Sequence, residues 1–282
     1  MLAATLSKHP SSRCSGEYHA NPKCQGLAGE HTKPVGPTVI LDGALANRRS
    51  NLAGRLSYTK SSAAGLSDSI PASDLLLWDH VGGCFPIVQA LRVDAVGDSG
   101  QIYGGRAFRD CMTAASVHHV PVILVSRGMH YATDDGVTLD ALGPEEPLLA
   151  DGTNDVNENS VVVRLTYRCT ACARPFRMLF MGDAGAQSEA KMLAAGADLE
   201  ADVLKVGHDG SAYSSTHAFI TATHPGYALI SVGRHNLFGH PAQTTLTTLR
   251  QVGATVYRTD RCGAISIEAG PAIAITPMVS CR

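Results

Sequence analysis

Charge is scarce in this chain. Asp, Glu, Lys and Arg make up 17% of its 282 residues, 23 basic against 25 acidic, for a formal net charge of −2. That balance supplies no general field to attract nucleic acid, so any such contact must rest on a local patch. Long apolar runs are absent: none approaches the roughly 20 residues that a bilayer-spanning helix needs. The opening MLAATLSKHPSSRC has neither a charged start nor an apolar stretch of signal-peptide length, which reads as a soluble, cytoplasmic chain. Cysteine is thin too. The eight (Cys14, Cys24, Cys84, Cys111, Cys169, Cys172, Cys262, Cys281) are scattered without the density of a disulfide scaffold, and the expectation is free thiols in a reducing compartment. Cys169-Thr-Ala-Cys172 is the sole CxxC, and with no second pair it reads as a turn between strands, not a zinc site.

What is present is apolar content of 44%, enough for a sizeable core. Residues 1–36 are rich in Ser, Gly, Pro, His and Lys without periodicity and read as a disordered tail; 37–282 read as one domain. Pro37–Leu41 predicts a short strand ending at the turn pair Asp42-Gly43, and 44–72 has no clear assignment. From Leu75 onward short apolar strands alternate with amphipathic helices. Strands are predicted over 75–77, 93–96, 121–125, 136–142, 161–168, 176–182, 202–206, 227–232, 254–258, 263–268 and 272–276. Helices are predicted over 84–91, 105–117, 186–195, 215–222 and 241–251. The alternation argues for α/β layering, and it fits two stacked sheets or one doubly wound sheet equally well.

Several polar residues fall just after predicted strands, where a rigid element holds a side chain in a loop-lined cleft. Asp183 follows Phe180-Met-Gly182. His208, Asp209 and Ser211 follow Asp202-Val-Leu-Lys205-Val-Gly207. Arg234 and His235 follow Ile230-Ser-Val-Gly233, and Gly239-His240-Pro241 opens the next helix. Upstream stands Trp78-Asp79-His80-Val81-Gly82-Gly83. Taken singly, each reads equally as a cap, turn or surface residue.

Together, these segments look like the metallo-β-lactamase-like domain of ComEC/Rec2-type competence proteins. The resemblance is carried by Asp155-Val-Asn-Glu-Asn159-Ser160, Met-Gly-Asp183, Asp202 to Ser211, Gly239-His240-Pro241 and Val256 to Ala264, with Gly97–Gly105 and Gly136–Pro144 extending it over about 37–270. It implies a metallo-β-lactamase-type αββα sandwich and a metal-dependent phosphodiesterase acting on DNA. The chain departs from the family at two places. Where the family has an H-x-H-x-D-H motif, Leu75 and Leu77 stand ahead of Asp79 and His80, or a short deletion near Leu77-Trp78 has removed the first histidines. Where it has Gly-His-His-Gly-Ser, Asp209 replaces the second imidazole, and a carboxylate does not reproduce imidazole at a zinc site.

The resemblance therefore implies one divalent ion in place of two, zinc or manganese, held by Asp79, His80, Asp183 and either His208 or His240. Asp79 and Asp183 would be central to catalysis, Lys205 and Arg234 would contact phosphate, and single-stranded DNA is the expected partner. A catalytically inactive binding module, or the relic of a decayed gene, is the alternative.

Overall fold

The computed structural model describes residues 35–41, 44–49, 54–58, 78–91, 93–133, 136–150 and 152–281. Of the expected tail over 1–36, residues 1–34 lie outside these residues, as do the Asp42-Gly43 turn and the 75–77 strand, while Val35 and Gly36 belong to the first strand and not to a tail.

Two sheets make the scaffold. One runs β1 (Val35–Leu41), β2 (Ala44–Arg49), β3 (Gly54–Tyr58), β13 (Ile265–Ala269) and β14 (Ile273–Pro277), antiparallel throughout. The segment 44–72, which the sequence leaves unassigned, thus supplies two strands, and among the described residues the first three strands join the last two in one sheet. The other sheet, in spatial order, is β12 (Thr255–Arg258), β11 (Tyr227–Ile230), β10 (Val203–Lys205), β9 (Phe176–Phe180), β8 (Val162–Tyr167), β7 (Val137–Gly143) and β6 (His130–Ala132). Strands β9 to β12 run parallel and β6 to β9 antiparallel. A short parallel pair, β4 (Val96–Asp98) and β5 (Val122–Leu124), stands apart.

Period-two alternation decides which side each residue serves. Along β8 and β9, Val163, Leu165, Phe176, Met178 and Phe180 point to one side, where they meet Ile265, Ile267 and Ala269 of β13. Val162 and Leu179 point to the other side, with Leu204, Ala228 and Ile230. That second face is covered by α5 (Ala186–Ala194), α6 (His217–Thr223) and α7 (Gln243–Gln251) through Met192, Phe219, Ile220, Leu246 and Leu249. Each such large side chain contributes roughly 1.5–3 kcal/mol on burial. The arrangement is two stacked sheets with helices outside, the class the resemblance implies; the single doubly wound sheet is excluded because a sheet, not a helix layer, covers the first face.

A second helical group forms around α1 (Trp78–Val81), α2 (Cys84–Ala90) and α3 (Arg106–Val117), with Val81, Val88, Val96, Cys111 and Ala115 at its centre. Two further short helices, α4 (Asp155–Glu158) and α8 (Thr259–Cys262), precede or follow strands of the large sheet. Neither was visible as periodicity, since one helical turn is too short to show any.

The expectation of free thiols is corrected: Cys84 pairs with Cys111, Cys169 with Cys172 and Cys262 with Cys281. These link α2 to α3, close the β8–β9 turn, and tie α8 to the end of the chain; Cys14 and Cys24 lie outside the described residues. Sequence spacing misleads here because the partners are brought together only by packing. Replacing Cys262 and Cys281 together by serine is expected to cost about 2–4 kcal/mol, read as a lower denaturation midpoint without reductant; reductant, which also opens the other two pairs, should lower the midpoint less in the variant than in the parent chain.

Candidate active site

Because β9, β10 and β11 are parallel, their C-terminal ends lie at one edge of the sheet, where open α/β sheets place ligands. Asp183 follows β9, His208 follows β10 and the 231–240 segment follows β11. The structure thus gathers residues far apart in sequence, for a reason that lies in strand direction.

The turn Gly182-Asp183 is fixed by its neighbours. The Asp183 N–H donates to Ser160 Oγ at 3.1 Å, and the His208 N–H donates to the Gly182 carbonyl at 3.0 Å. Gly182 has φ of +56°, and a Cβ there would sit 3.1 Å from that of Ser160, so the turn needs glycine. Gly210 answers the same need at φ +81°, where a Cβ would come 2.6 Å from Cβ of Pro241. Between them His208 and Asp209 take left-handed backbone at φ 50° and 52°. Non-glycine residues in that region cost of order 1 kcal/mol or more each, a strain usually tolerated where a side chain must be aimed.

Asp183 is the centre of the cluster. His80 Nε2 lies 3.0 Å from Asp183 Oδ1, with both side chains buried. Burial alone would raise the Asp183 carboxyl. The charge and hydrogen bond of His80 outweigh that, followed by the charges of His208 and Lys205, and hold it down at about 2. The carboxylate is therefore ionised throughout the physiological range. His208 Nδ1 is buried without a hydrogen-bond partner, an orphaned donor-acceptor atom beside a carboxylate. His240 faces His208 edge-on at 5.7 Å between ring centres. Of the two histidines left open by the sequence, His208 is the one whose charge acts on Asp183.

Other expectations change. Lys205 is fully buried, and its ammonium donates to the Val206 carbonyl at 3.2 Å. Buried to this degree it does not present its ammonium to a phosphate in solvent, which corrects the expected phosphate contact; its charge is instead the smallest of the influences that lower the Asp183 carboxyl. Arg234 stands exposed on the 233–240 loop. Arg258, also at a strand end, pairs with Asp260 at 2.6 Å. Asp79 lies in α1, and its side chain is outside the described residues.

The donor chemistry suits a hard or borderline divalent ion, yet among the described residues no three His, Cys, Asp or Glu side chains surround a common point. The residues described do not by themselves complete a metal cradle.

Two buried carboxylates that sequence reasoning missed brace the site. Glu158 accepts from Gly185 N–H at 3.2 Å and Ser188 N–H at 2.9 Å, and Ser188 returns its hydroxyl to the Glu158 carbonyl. Glu189 accepts from Ser215 N–H at 2.5 Å and Thr216 N–H at 2.8 Å. Together they hold the segments that follow Asp183 and Ser211. The available signal was Glu189 itself, three residues before Met192 on the inward side of α5. Burial pushes the Glu189 carboxyl up to about 7, the proximity of Glu158 adding to it against the two N–H donors.

The folded state thus keeps a proton on Glu189 that the unfolded chain releases near its ordinary value of 4.5. Stability must therefore fall as pH rises from about 4.5 to about 7 and level off above, by on the order of 3 kcal/mol. Urea denaturation of Glu189→Gln at about pH 5 and about pH 8 should show most of that difference removed.

The fold, two stacked sheets with helices outside and the cluster at the C-terminal ends of the parallel strands, is mixed α/β of the metallo-β-lactamase type. Over part of its length the chain is similar to ComEC-type competence proteins. It is 38% identical over 87 residues to ComE operon protein 3 of Bacillus subtilis, covering 31% of this chain and 11% of that protein. It is 32% identical over 137 residues to competence protein ComA of Neisseria gonorrhoeae, covering 48% of this chain and 18% of that one. The chain thus spans a small part of the length of these relatives. No family model matches it. Among solved structures, a protein described as a metal-dependent hydrolase from Parabacteroides distasonis aligns at a TM-score of 0.40 and 11% identity, over 79% of this chain and 92% of that one. The isothiocyanate hydrolase of Delia radicum gut bacteria aligns at 0.34 and 14%, over 78% and 82%.

Proposed function

We propose that the chain is a ComEC-like phosphodiesterase acting on DNA with a reduced metal site that takes one divalent ion, zinc or manganese, at Asp183. What carries the reading is a buried carboxylate, ionised at neutral pH, at the C-terminal edge of a parallel sheet, with His80 against it and the orphaned Nδ1 of His208 nearby. Asp79, His80, Asp183 and His208 are the residues that would hold the ion. When bound, such an ion lowers the pKa of its water towards about 7 and neutralises charge on phosphoryl oxygens. The residues of the chain contribute the rest: Glu158, Ser160 and Glu189 keep the loops fixed, and His80, with smaller contributions from His208 and Lys205, keeps Asp183 charged.

The relationship to competence proteins over their matched segments supports DNA as the substrate, with single-stranded DNA as the partner. The working compartment is part of the same proposal. No helix among the described residues is long and apolar enough to cross a membrane. The three cysteine pairs favour an oxidising environment over the cytoplasm expected from the sequence.

The test is turnover of single-stranded DNA by purified chain with added zinc or manganese, beside Asp183→Ala. Metal-dependent cleavage lost in the variant is the expected result; cleavage that survives in it, or none with either metal, overturns the reading. One observation favours an inactive relative: His80 Nε2 already stands 3.0 Å from Asp183 Oδ1, where an ion would bind, and among the described residues no third ligand closes around them. Folded protein that stays inert with both metals would establish that alternative.

A further inference from the structure

The loop between β11 and α7 carries a feature that the cluster around Asp183 does not use. Leu237 is 96% exposed and Phe238 67% exposed, an unusual position for two large apolar side chains. They are not on a slack segment. Asn236 Nδ2 donates to the His240 carbonyl at 2.8 Å and to the Gly233 carbonyl at 3.3 Å, and Asn236 Oδ1 accepts the His240 N–H at 2.8 Å. This bracing, with Gly239 at φ +71°, holds the tip in one shape. The Phe238 ring lies nearly parallel to that of His240, 20° apart with centres 5.9 Å from each other. His240 in turn meets His208, so the aromatic tip is continuous with the candidate site. Arg234 and His235, both exposed, stand on the same loop. Tyr213, 77% exposed, rises from the loop after β10, and Gly210 of that loop packs against Pro241.

We propose that Phe238, with Leu237, is a stacking platform for unpaired bases of a single-stranded nucleic acid entering the site, and that Arg234 contacts an adjoining phosphate. One face of the Phe238 ring is backed by imidazole and the other is open, which suits a flat ring and not a side chain seeking a pocket. The apolar area is confined to a loop tip bordered by glycines and cations. A stable protein partner needs about 800 Å² from each side. Stacking on an aromatic ring is available to any base once it is unpaired, and cations beside such rings follow the backbone. Bases within a duplex have their faces covered, so the platform selects single strands. The inference rests on the reading of the cleft as a phosphodiester site, and it is tested by binding, which needs neither metal nor turnover.

The experiment is fluorescence anisotropy of the full chain, without metal and at low salt, with a labelled oligothymidine of about 12 nucleotides, an abasic strand of equal length, and a duplex. Tighter binding of the oligothymidine than of the abasic strand, by about 5- to 100-fold, is expected. Phe238→Ala should collapse that preference while leaving abasic binding unchanged, Phe238→Trp should keep it, and Arg234→Ala should weaken both strands alike. Equal binding of base-bearing and abasic strands, or no effect of Phe238→Ala, overturns the platform even if the chain proves to be a hydrolase. The preference persisting in a chain that cleaves nothing would retire the hydrolase reading alone. Phe238-dependent binding to anionic lipid vesicles, with oligonucleotide binding indifferent to Phe238, would assign the tip to a membrane and also overturn the proposal.

Discussion

Asp183→Asn is expected to lower the unfolding free energy at neutral pH by about 3–5 kcal/mol, the usual cost of removing one partner from a buried charge cluster. The substitution keeps the shape of the side chain, so packing is not the cause. Lys205 is fully buried and the His80 side chain nearly so; with the carboxylate neutralised, the Lys205 ammonium loses a charge that offsets its desolvation and His80 Nε2 loses the carboxylate facing it. The pH dependence has a definite sign. A carboxyl held at about 2 stabilises the fold above its ordinary value, and that contribution is lost as pH falls towards 2. The variant should therefore lose less stability than the parent on acidification over that window. Denaturant titrations followed by circular dichroism at neutral and acid pH would check both parts. A variant as stable as the parent would mean that Asp183 is not paired as described.

Lys205→Met is the second large effect, again about 3–5 kcal/mol, because it leaves Asp183 buried with one cation fewer. Methionine fills a similar volume, so the loss measures charge. The two substitutions should not add. Combining Asp183→Asn with Lys205→Met removes both charges and, because the Lys205 charge acts on the Asp183 carboxyl, should cost less than the sum by about 0.5–3 kcal/mol. Strict additivity in the double-mutant cycle would show that Lys205 contributes packing alone. Lysine at the end of β10 looks like an ordinary surface residue in the sequence, because its burial comes from the strand's central place between β9 and β11.

The contrast illustrates what the sequence does and does not carry. The helices over 106–117, 186–194, 217–223 and 243–251 were legible because three- and four-residue spacing survives over two turns or more. Strands β7 to β14 were legible for the same kind of reason, as short apolar runs between turns. Strands β2 and β3 were not, since Ala44–Arg49 and Gly54–Tyr58 read as polar and are held by pairing with their neighbours. Asp183 and His208 were found because they follow apolar strands and sit in recognisable runs. Ser160, Glu158 and Glu189 were missed because they act on backbone N–H groups 23 to 30 residues away, a relation that only the fold creates. Asn159 belongs with them: its side chain joins Gln101 to Leu149 and so ties two loops beside the same edge.

The central claim is that the strand edge around Asp183 is a single-ion site. The most direct measurement is the zinc or manganese content of purified chain, by elemental analysis after equilibration with each metal, in the parent, Asp183→Ala and His208→Ala. One equivalent in the parent, lost from Asp183→Ala and reduced in His208→Ala, is the result predicted. A folded parent that retains no metal, or an equivalent that Asp183→Ala still holds, would contradict it.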